Sequence, residues 1–532
     1  MVQPAEKMSE TTEAKAGGTA HGARPAQDGA LAKDFQGMTG EEYLESLRDG
    51  RKVYIDGELI RDVTKHPAYR NAARSIARLY DLLHDESMQE TLLTRDRYGI
   101  VTHRFFAPAY SADELAKAGE AVAAWQRMSW GWMGRTPEYK ASFMATLGAD
   151  PDYYAPFGNS ARRWYEETAR RVLFMNHVIV DPPVDRNRPP QEVRDVFIHV
   201  VKETDAGIYV SGAKQVATAS ALTHGSFVAC NSGSAARLQE GRDEDFALVF
   251  FVRMNNPGQY LISRASYEAK AGHPFDYPLA ARFDENDAVL ILDNAFIPWE
   301  DVLIYRDVRK VKAFYADSGF FPRFNFQATI RMAIKMEFVA GLLLKGVECN
   351  GTADFRGVQV AVGEVIGLRN LFWALVAAMA RDPEPSLGGS VVPRLEYAGA
   401  ARIATNFSWD RVREIFERTL GGSPVLNVSS YKDFLNPELR PIIDRYMRGT
   451  GLTALERSKL FKVIWDAMYS EFAGRHGLYE LNYAGNAEQK YIDVLQWAAK
   501  RGQTDAFKAM VDDFMSDYDL SGWTAAPWKE GA

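Results

Sequence analysis

Thiols are scarce: Cys230 and Cys349 are the only two, too few for a disulfide framework or a four-thiolate metal site. The nine histidines are scattered and none falls at metal-ligand spacing. Positive charge is not in excess, and a formal net charge of -7 has the wrong sign for a non-specific nucleic-acid footprint. No uninterrupted run of about 18 apolar residues occurs, which argues against a transmembrane helix. Residues 1–20 are small and polar, without the apolar stretch of a secretory signal. A reducing cytoplasm is therefore the expected compartment. There is no Walker loop, no His-Glu-x-x-His and no Gly-x-Ser-x-Gly. The near match to a dinucleotide fingerprint, Gly449-Thr450-Gly451-Leu452-Thr453-Ala454, follows a helical rather than a strand pattern, so its context is wrong.

What is present is an ordered series of patterns. Residues 1–37 carry almost no large apolar side chains and are expected to be disordered, because burial cannot offset their ordering entropy. Thr39 and Glu42 stand at capping-box spacing, as do Ser111 and Glu114, and helical periodicity prevails from there to about residue 180. From Asp195 to about Tyr305 the apolar runs become short, β-branched and aromatic, as in Val249-Phe250-Phe251-Val252, with turn clusters between them. Long helices return beyond Phe321, where Ile330, Ile334, Phe338 and Leu342 recur every four residues. The stretch 371–380 is apolar on every face, which predicts burial among other helices. The expected division is a tail over 1–37, a helical domain over 38–185, a β domain over 186–310 and a helical bundle over 311–532.

Three polar groups in apolar surroundings are site candidates. Thr136 as N-cap with Pro137 behind it predicts a helix start, with Arg135 just ahead and Tyr139 in the first turn. Guanidinium, phenol hydroxyl and free backbone N–H groups can converge there on an anion or a phenolate oxygen; an ordinary capped helix gives the same pattern. His177 sits alone in the apolar run 173–180, where a satisfied core histidine is the plainer reading. Gly474-Arg475-His476-Gly477 either cradles a ring system or phosphates, or closes a helix at its C-terminus.

Taken together, several blocks resemble the large component of the 4-hydroxyphenylacetate 3-monooxygenase family. They include Met38-Thr39-Gly40-Glu41-Glu42-Tyr43-Leu44, His66-Pro67-Ala68-Tyr69-Arg70-Asn71, residues 131–140, Phe174-Met175-Asn176-His177, Pro182-Pro183-Val184-Asp185-Arg186, Arg282-Phe283-Asp284-Glu285-Asn286-Asp287 and residues 471–480. The resemblance implies a mainly α, acyl-CoA-dehydrogenase-like fold: an N-terminal helical domain, a central β-barrel and a C-terminal four-helix bundle. It also implies a homotetramer that takes FADH2 from a separate NAD(P)H-dependent flavin reductase and uses O2 through a flavin C4a-hydroperoxide. The reaction implied is ortho-hydroxylation of a para-substituted phenol, with 4-hydroxyphenylacetate first and 4-coumarate, tyrosine-like, halogenated or nitrated phenols as alternatives.

By the family pattern, Arg135, Tyr139 and His177 hold the phenolic oxygen, with His177 polarising or deprotonating it. Flavin contacts are expected from His177, Val178 and Ile179, from Pro183, Val184, Asp185 and Arg186, from Thr218, and from Ala473, Gly474, Arg475 and His476. The segment 224–245, with Ser232, Gly233 and Ser234, falls where the family has a variable loop over the substrate. An iron–sulfur dehydratase of the same fold would need three cysteines and a histidine, which two cysteines cannot supply. An acyl-CoA-dehydrogenase-like oxidoreductase or a non-catalytic flavin binder are the readings of other classes. The presence of Arg135, Tyr139 and His177 together favours the hydroxylase.

Overall fold

The computed structural model describes residues 28–185, 187–483 and 485–528. Order begins earlier than expected. A helix spans Asp28–Asp34, Asp34 pairs with Arg95 at 2.5 Å, and Leu31 and Phe35 pack on the core. The expectation for 1–37 is therefore corrected over 28–37, where Leu31 and Phe35 supply the apolar anchor; its remainder lies outside the described residues. Thr39 and Glu42 form the anticipated capping box at helix Gly40–Ser46. Ser111 caps helix Ala112–Arg127, but the Glu114 carboxylate turns to the backbone N–H of Tyr110 instead of closing the box.

Three two-stranded ribbons aside, ten of the described strands make two larger sheets. One runs in the order Glu58–Ile60, Val53–Ile55, Gln259–Ser263, Ala288–Pro298, Gly207–Lys214, His199–Thr204. The other runs Val302–Tyr305, Leu248–Arg253, Gly225–Val228, Met175–Val178, and a bridge between Val180 and Gln215 joins the two. Two features depart from the expected boundaries. A hairpin at Val53–Ile60 within the helical region adds to the first sheet, its Val53–Ile55 strand lying parallel to Gln259–Ser263. Its turn is Asp56-Gly57, both at positive φ (52° and 81°), the pairing that two-residue hairpin turns favour. Strand Met175–Val178 likewise precedes the predicted edge at 186 yet belongs to the second sheet.

Beyond the sheets, helices Phe320–Cys349, Arg356–Arg381 and Leu395–Leu420 pack side by side, followed by Ala454–Met468 and Glu471–Asn482. Ile330, Ile334 and Leu342 are buried along the first of these, as their spacing predicts. The expectation for 371–380 is overturned. Only one face of Arg356–Arg381 is covered, by Phe372, Val376 and Met379, whereas Val360, Ile366 and Leu371 are exposed. Counter to the sequence reading, this helix is also long and apolar enough to cross a membrane. Here it lies in the bundle, with Glu364 paired to Arg411 and Arg369 to Glu337.

Candidate active site

Helix Pro137–Ala149 is buried along its whole length, Glu138 and Lys140 included. Thr136 and Pro137 start it as predicted, but the Thr136 hydroxyl donates to Glu138 Oε1 (2.7 Å) and makes no cap hydrogen bond. The backbone N–H of Arg135 is not free either: it donates to Glu285 Oε1 at 2.5 Å. The acceptor at this helix start is thus the protein's own carboxyl group, pushed up by burial, and what remains for a ligand is side chains.

Those side chains converge. The Arg135 guanidinium lies 4.0 Å from the ring centre of Tyr139, 4.4 Å from Tyr483 and 5.3 Å from Tyr479, and its Nη1 donates to the Tyr479 hydroxyl at 3.2 Å. Burial works against its charge, but the three tyrosines and Glu285 outweigh that and hold it protonated. Among the described residues its guanidinium makes no ion pair with a carboxylate. The His177 and Tyr139 rings are 5.5 Å apart, and His177 Nδ1 lies 2.6 Å from Lys140 Nζ. Burial, then Lys140, then Arg135 push His177 well below the usual histidine range, so the ring is neutral. Burial and Arg135 likewise depress Lys140.

The three predicted substrate contacts therefore stand together, and sequence reasoning missed three partners: Lys140, Tyr479 and Tyr483. Tyr479 and Tyr483 are four apart in the 479–483 stretch, a spacing that puts them on one helix face. Lys140 is a lone lysine in a first turn followed by Ala141, Phe143, Met144 and Leu147, a pattern that signals a buried helix. Gly134 lets Tyr479 approach, since a Cβ there would sit 1.8 Å from the tyrosine oxygen. Gly134→Ala is expected to cost about 1–3 kcal/mol of stability through overpacking. A lower urea midpoint at unchanged slope would register it, and an unmoved midpoint would mean Tyr479 swings aside freely.

A second cluster brings together predicted flavin segments that lie far apart in sequence. Asp287 accepts from Thr218 Oγ1 (2.6 Å), from Arg264 Nε (2.9 Å) and from Arg475 through Nε (3.0 Å) and Nη2 (2.9 Å). Burial pushes the Asp287 carboxyl up, but Arg475 and Arg264 carry it far below the usual range. Arg475 Nη1 is left without a hydrogen-bond partner, and Gly474 faces open space. Ala473 is buried behind the Ser470 cap. His476 turns the other way, fully buried 3.3 Å from Lys335 and 5.1 Å from Trp132. The 474–477 stretch opens helix Glu471–Asn482 rather than closing a helix, which corrects the C-cap reading: the break falls earlier, at Tyr469-Ser470. Met175–Val178 is the outer strand of its sheet, so backbone groups on one side of His177 and Val178 take no part in its ladder. Pro183, Val184 and Asp185 are exposed beyond it, and Arg186 lies outside the described residues.

The segment 224–245 is only partly a loop. Gly225–Val228 is a fully buried strand, which corrects the expectation for its first residues; alternation fails there because both faces are covered. Ser232, Gly233 and Ser234 open a short helix, Ser232–Arg237, capped by Asn231, whose backbone N–H donates to Ile179 (3.0 Å) just past His177.

The 4-hydroxyphenylacetate 3-hydroxylase family matches in two parts, its N-terminal model over residues 39–304 and its C-terminal model over 311–512. The pyoverdin chromophore biosynthetic protein PvcC of Pseudomonas aeruginosa is 53% identical over 493 residues, 92% of this chain and 98% of that protein. The oxygenase component of 4-nitrophenol 2-monooxygenase from a Rhodococcus species is 47% identical, covering 93% of this chain and 95% of that protein. A solved structure of the oxygenase component HpaB of 4-hydroxyphenylacetate 3-monooxygenase, complexed with FAD and 4-hydroxyphenylacetate, superposes with a TM-score of 0.84. It is 28% identical and covers 90% of this chain and 99% of that one. The chain belongs to the 4-hydroxyphenylacetate 3-hydroxylase family and is an oxygenase component of this class of two-component, flavin-dependent monooxygenases.

Proposed function

We propose that the chain hydroxylates a para-substituted phenol ortho to its hydroxyl, using O2 and FAD supplied in reduced form by a separate NAD(P)H-dependent reductase. The observation that carries this is the buried Arg135 guanidinium, boxed by Tyr139, Tyr479 and Tyr483 without a carboxylate partner, beside a neutral His177. Such a cluster suits an aromatic body and the negative oxygen that activates it. Arg135 supplies the charge that favours phenolate, and His177 holds the same oxygen. Electron density pushed from that oxygen makes the ortho carbon the nucleophile.

The flavin fits the second cluster: Thr218 and Arg475 meet at Asp287, Arg475 Nη1 makes no hydrogen bond and has only Glu285 at 3.7 Å, and the outer strand at His177 and Val178, with Ile179 just beyond, offers backbone groups. Pro183, Val184 and Asp185 form its outer rim in this reading and Gly474 its helical wall, with Ala473 and the inward-turned His476 backing that helix. Bound and reduced, the flavin activates O2 as an electrophilic oxygen donor. The surrounding aromatic side chains exclude water from the transfer. The apolar face at Val360, Ile366 and Leu371 is covered, in this reading, by other copies in a homotetramer.

4-Hydroxyphenylacetate is the first substrate to test. PvcC and the 4-nitrophenol enzyme are at least as similar as the 4-hydroxyphenylacetate enzymes, so likeness does not rank the phenols. In this reading selection is assigned to the Ser232–Arg237 segment, whose cap Asn231 bonds to Ile179. The test mixes the chain anaerobically with reduced FAD, adds O2 with each phenol of a panel, and measures catechol and hydrogen peroxide. Catechol from any of them supports the reading; peroxide alone with every phenol sinks it. His177→Ala is expected to lower hydroxylation about 100-fold, the scale of a lost acid–base group. Peroxide release should rise to account for the FADH2 consumed. Unchanged coupling in that variant would remove His177 from the reaction.

A further inference from the structure

Lys140 has no role in the family pattern, yet it is among the least accommodating residues to bury. Its side chain is fully enclosed, no carboxylate pairs with it among the described residues, and its Nζ lies 2.6 Å from His177 Nδ1. Around it stand the rings of Phe320 (4.4 Å), Tyr139 (4.9 Å) and Phe227 (5.7 Å). A purely structural filler here would be Met or Leu, which cost no desolvation. His177 Nε2 makes no hydrogen bond among the described residues, so one ring nitrogen is committed to Lys140 and the other is free.

A neutral imidazole carries one N–H, and its partner decides which nitrogen bears it. A neutral lysine amine can accept from Nδ1–H, which leaves Nε2 as a lone pair. A lysine ammonium can only donate to Nδ1, which puts the proton on Nε2. The Lys140–His177 contact serves both states, and one proton converts one into the other.

Resting on the phenol-hydroxylase reading above, we propose that Lys140 and His177 form a proton relay for substrate ionisation. The phenol O–H gives its proton to His177 Nε2 as Nδ1–H gives its own to Lys140. Substrate is then held as phenolate between two cations, Arg135 and Lys140, with Nε2–H donating to its oxygen. The proton is conserved, no oxidant enters, and the site goes from one cation to two cations and one anion. The charge acting on the pair comes from Arg135. Tyr139 on the same helix and Tyr479 and Tyr483 opposite are all raised above the ordinary tyrosine value, first of all by burial, and stay neutral. Burial and Arg135 depress Lys140 well below the ordinary lysine value, the direction that lets its amine exchange a proton with His177 at 2.6 Å. Lys140 acts through His177 and is a positioning residue.

The test needs no turnover. The full-length chain without flavin is titrated with 4-nitrophenol, whose phenolate is coloured, below the pKa of the free phenol, and proton release is followed in weak buffer. Wild type is expected to bind the coloured phenolate with no proton released to solvent. Lys140→Met should bind with at least a tenfold smaller ionised fraction. Lys140→Arg keeps the charge but cannot accept a proton, so it should bind phenolate while releasing about one proton per site. It also serves as the check should the methionine variant fail to fold. Full colour without proton release in either variant overturns the relay and leaves the hydroxylase reading intact. Failure of wild type to bind 4-nitrophenol or any other phenol of the panel removes the hydroxylase reading instead.

Discussion

Replacing Arg135 by alanine is expected to weaken phenol binding by about 2–5 kcal/mol, roughly 30-fold to several thousandfold in Kd. The loss has two parts. The guanidinium is the permanent positive charge beside His177, and it also spans the rings of Tyr139 and Tyr483 and donates to Tyr479. Without it the tyrosine box loses both its charge and its spacer. Arg135→Lys keeps the charge but not the planar stacking, so it should fall between wild type and alanine. Flavin affinity should change little. Arg475 is held by Asp287, and the backbone N–H of residue 135 still reaches Glu285 in either variant. Calorimetric titration of 4-hydroxyphenylacetate, or of whichever phenol proves to be the substrate, measures the first effect, and titration of FAD measures the second. Unchanged phenol affinity would take Arg135 out of the site; parallel loss of both ligands would show that the two clusters act as one.

What the chain disclosed before its structure follows a physical divide. Local signals were readable: the Thr39–Glu42 box and the Thr136-Pro137 start lie within one turn, and the four-residue repeat through Ile330 and Ile334 marks the buried face of its helix without naming what covers it. The Asp56-Gly57 hairpin was also written locally, in the dipeptide that favours paired positive φ, but its strands are three residues each and too short to show alternation. Long-range partners were not readable. Lys140 and His177 are 37 positions apart, and Arg475 and Asp287 are 188 apart. The apolar flank of Lys140 signals a buried helix but does not name His177 as its partner, and the flanks of Asp287 do not name Arg475. Thr136 shows the limit of even a good local rule, for its hydroxyl donates to the enclosed Glu138 and accepts from the Gln126 amide instead of from the helix's first backbone N–H groups. Exposure of Leu371 was unreadable for the opposite reason: an apolar helix reads the same whether its uncovered face meets the same chain or another.

The other large effect is expected at Glu480, which touches neither proposed ligand. Both its oxygens are taken, by the two Nη atoms of Arg331 and by Lys335 Nζ at 2.7 Å, and all three side chains are buried. Arg331 Nη1 also donates to the carbonyl of Gly131 at 3.2 Å. One carboxylate thus ties helix Glu471–Asn482 to helix Phe320–Cys349, and through Arg331 to the loop that carries Arg135. Removing it as Glu480→Ala leaves two buried cations without a carboxylate partner, which should cost about 3–5 kcal/mol. Adding Lys335→Met should recover part of that by removing one of the two charges. Acid supplies an independent check. Burial pushes the Glu480 carboxyl up, but Arg331 and Lys335 pull it further down, to about 2 from an ordinary 4.5. A carboxyl depressed in the folded state stabilises above its unfolded value and loses that contribution as pH falls through its folded one. The shift corresponds to about 3 kcal/mol, present above roughly pH 4.5 and gone near pH 2. Lys335, lowered to about 8 chiefly by burial, is protonated throughout that window and adds no slope. Asp287 contributes in the same direction, so the informative quantity is the difference between wild type and variant. Urea midpoints should separate widely at neutral pH and converge on acidification. A gap independent of pH would mean that Glu480 stabilises the bundle by packing rather than by charge.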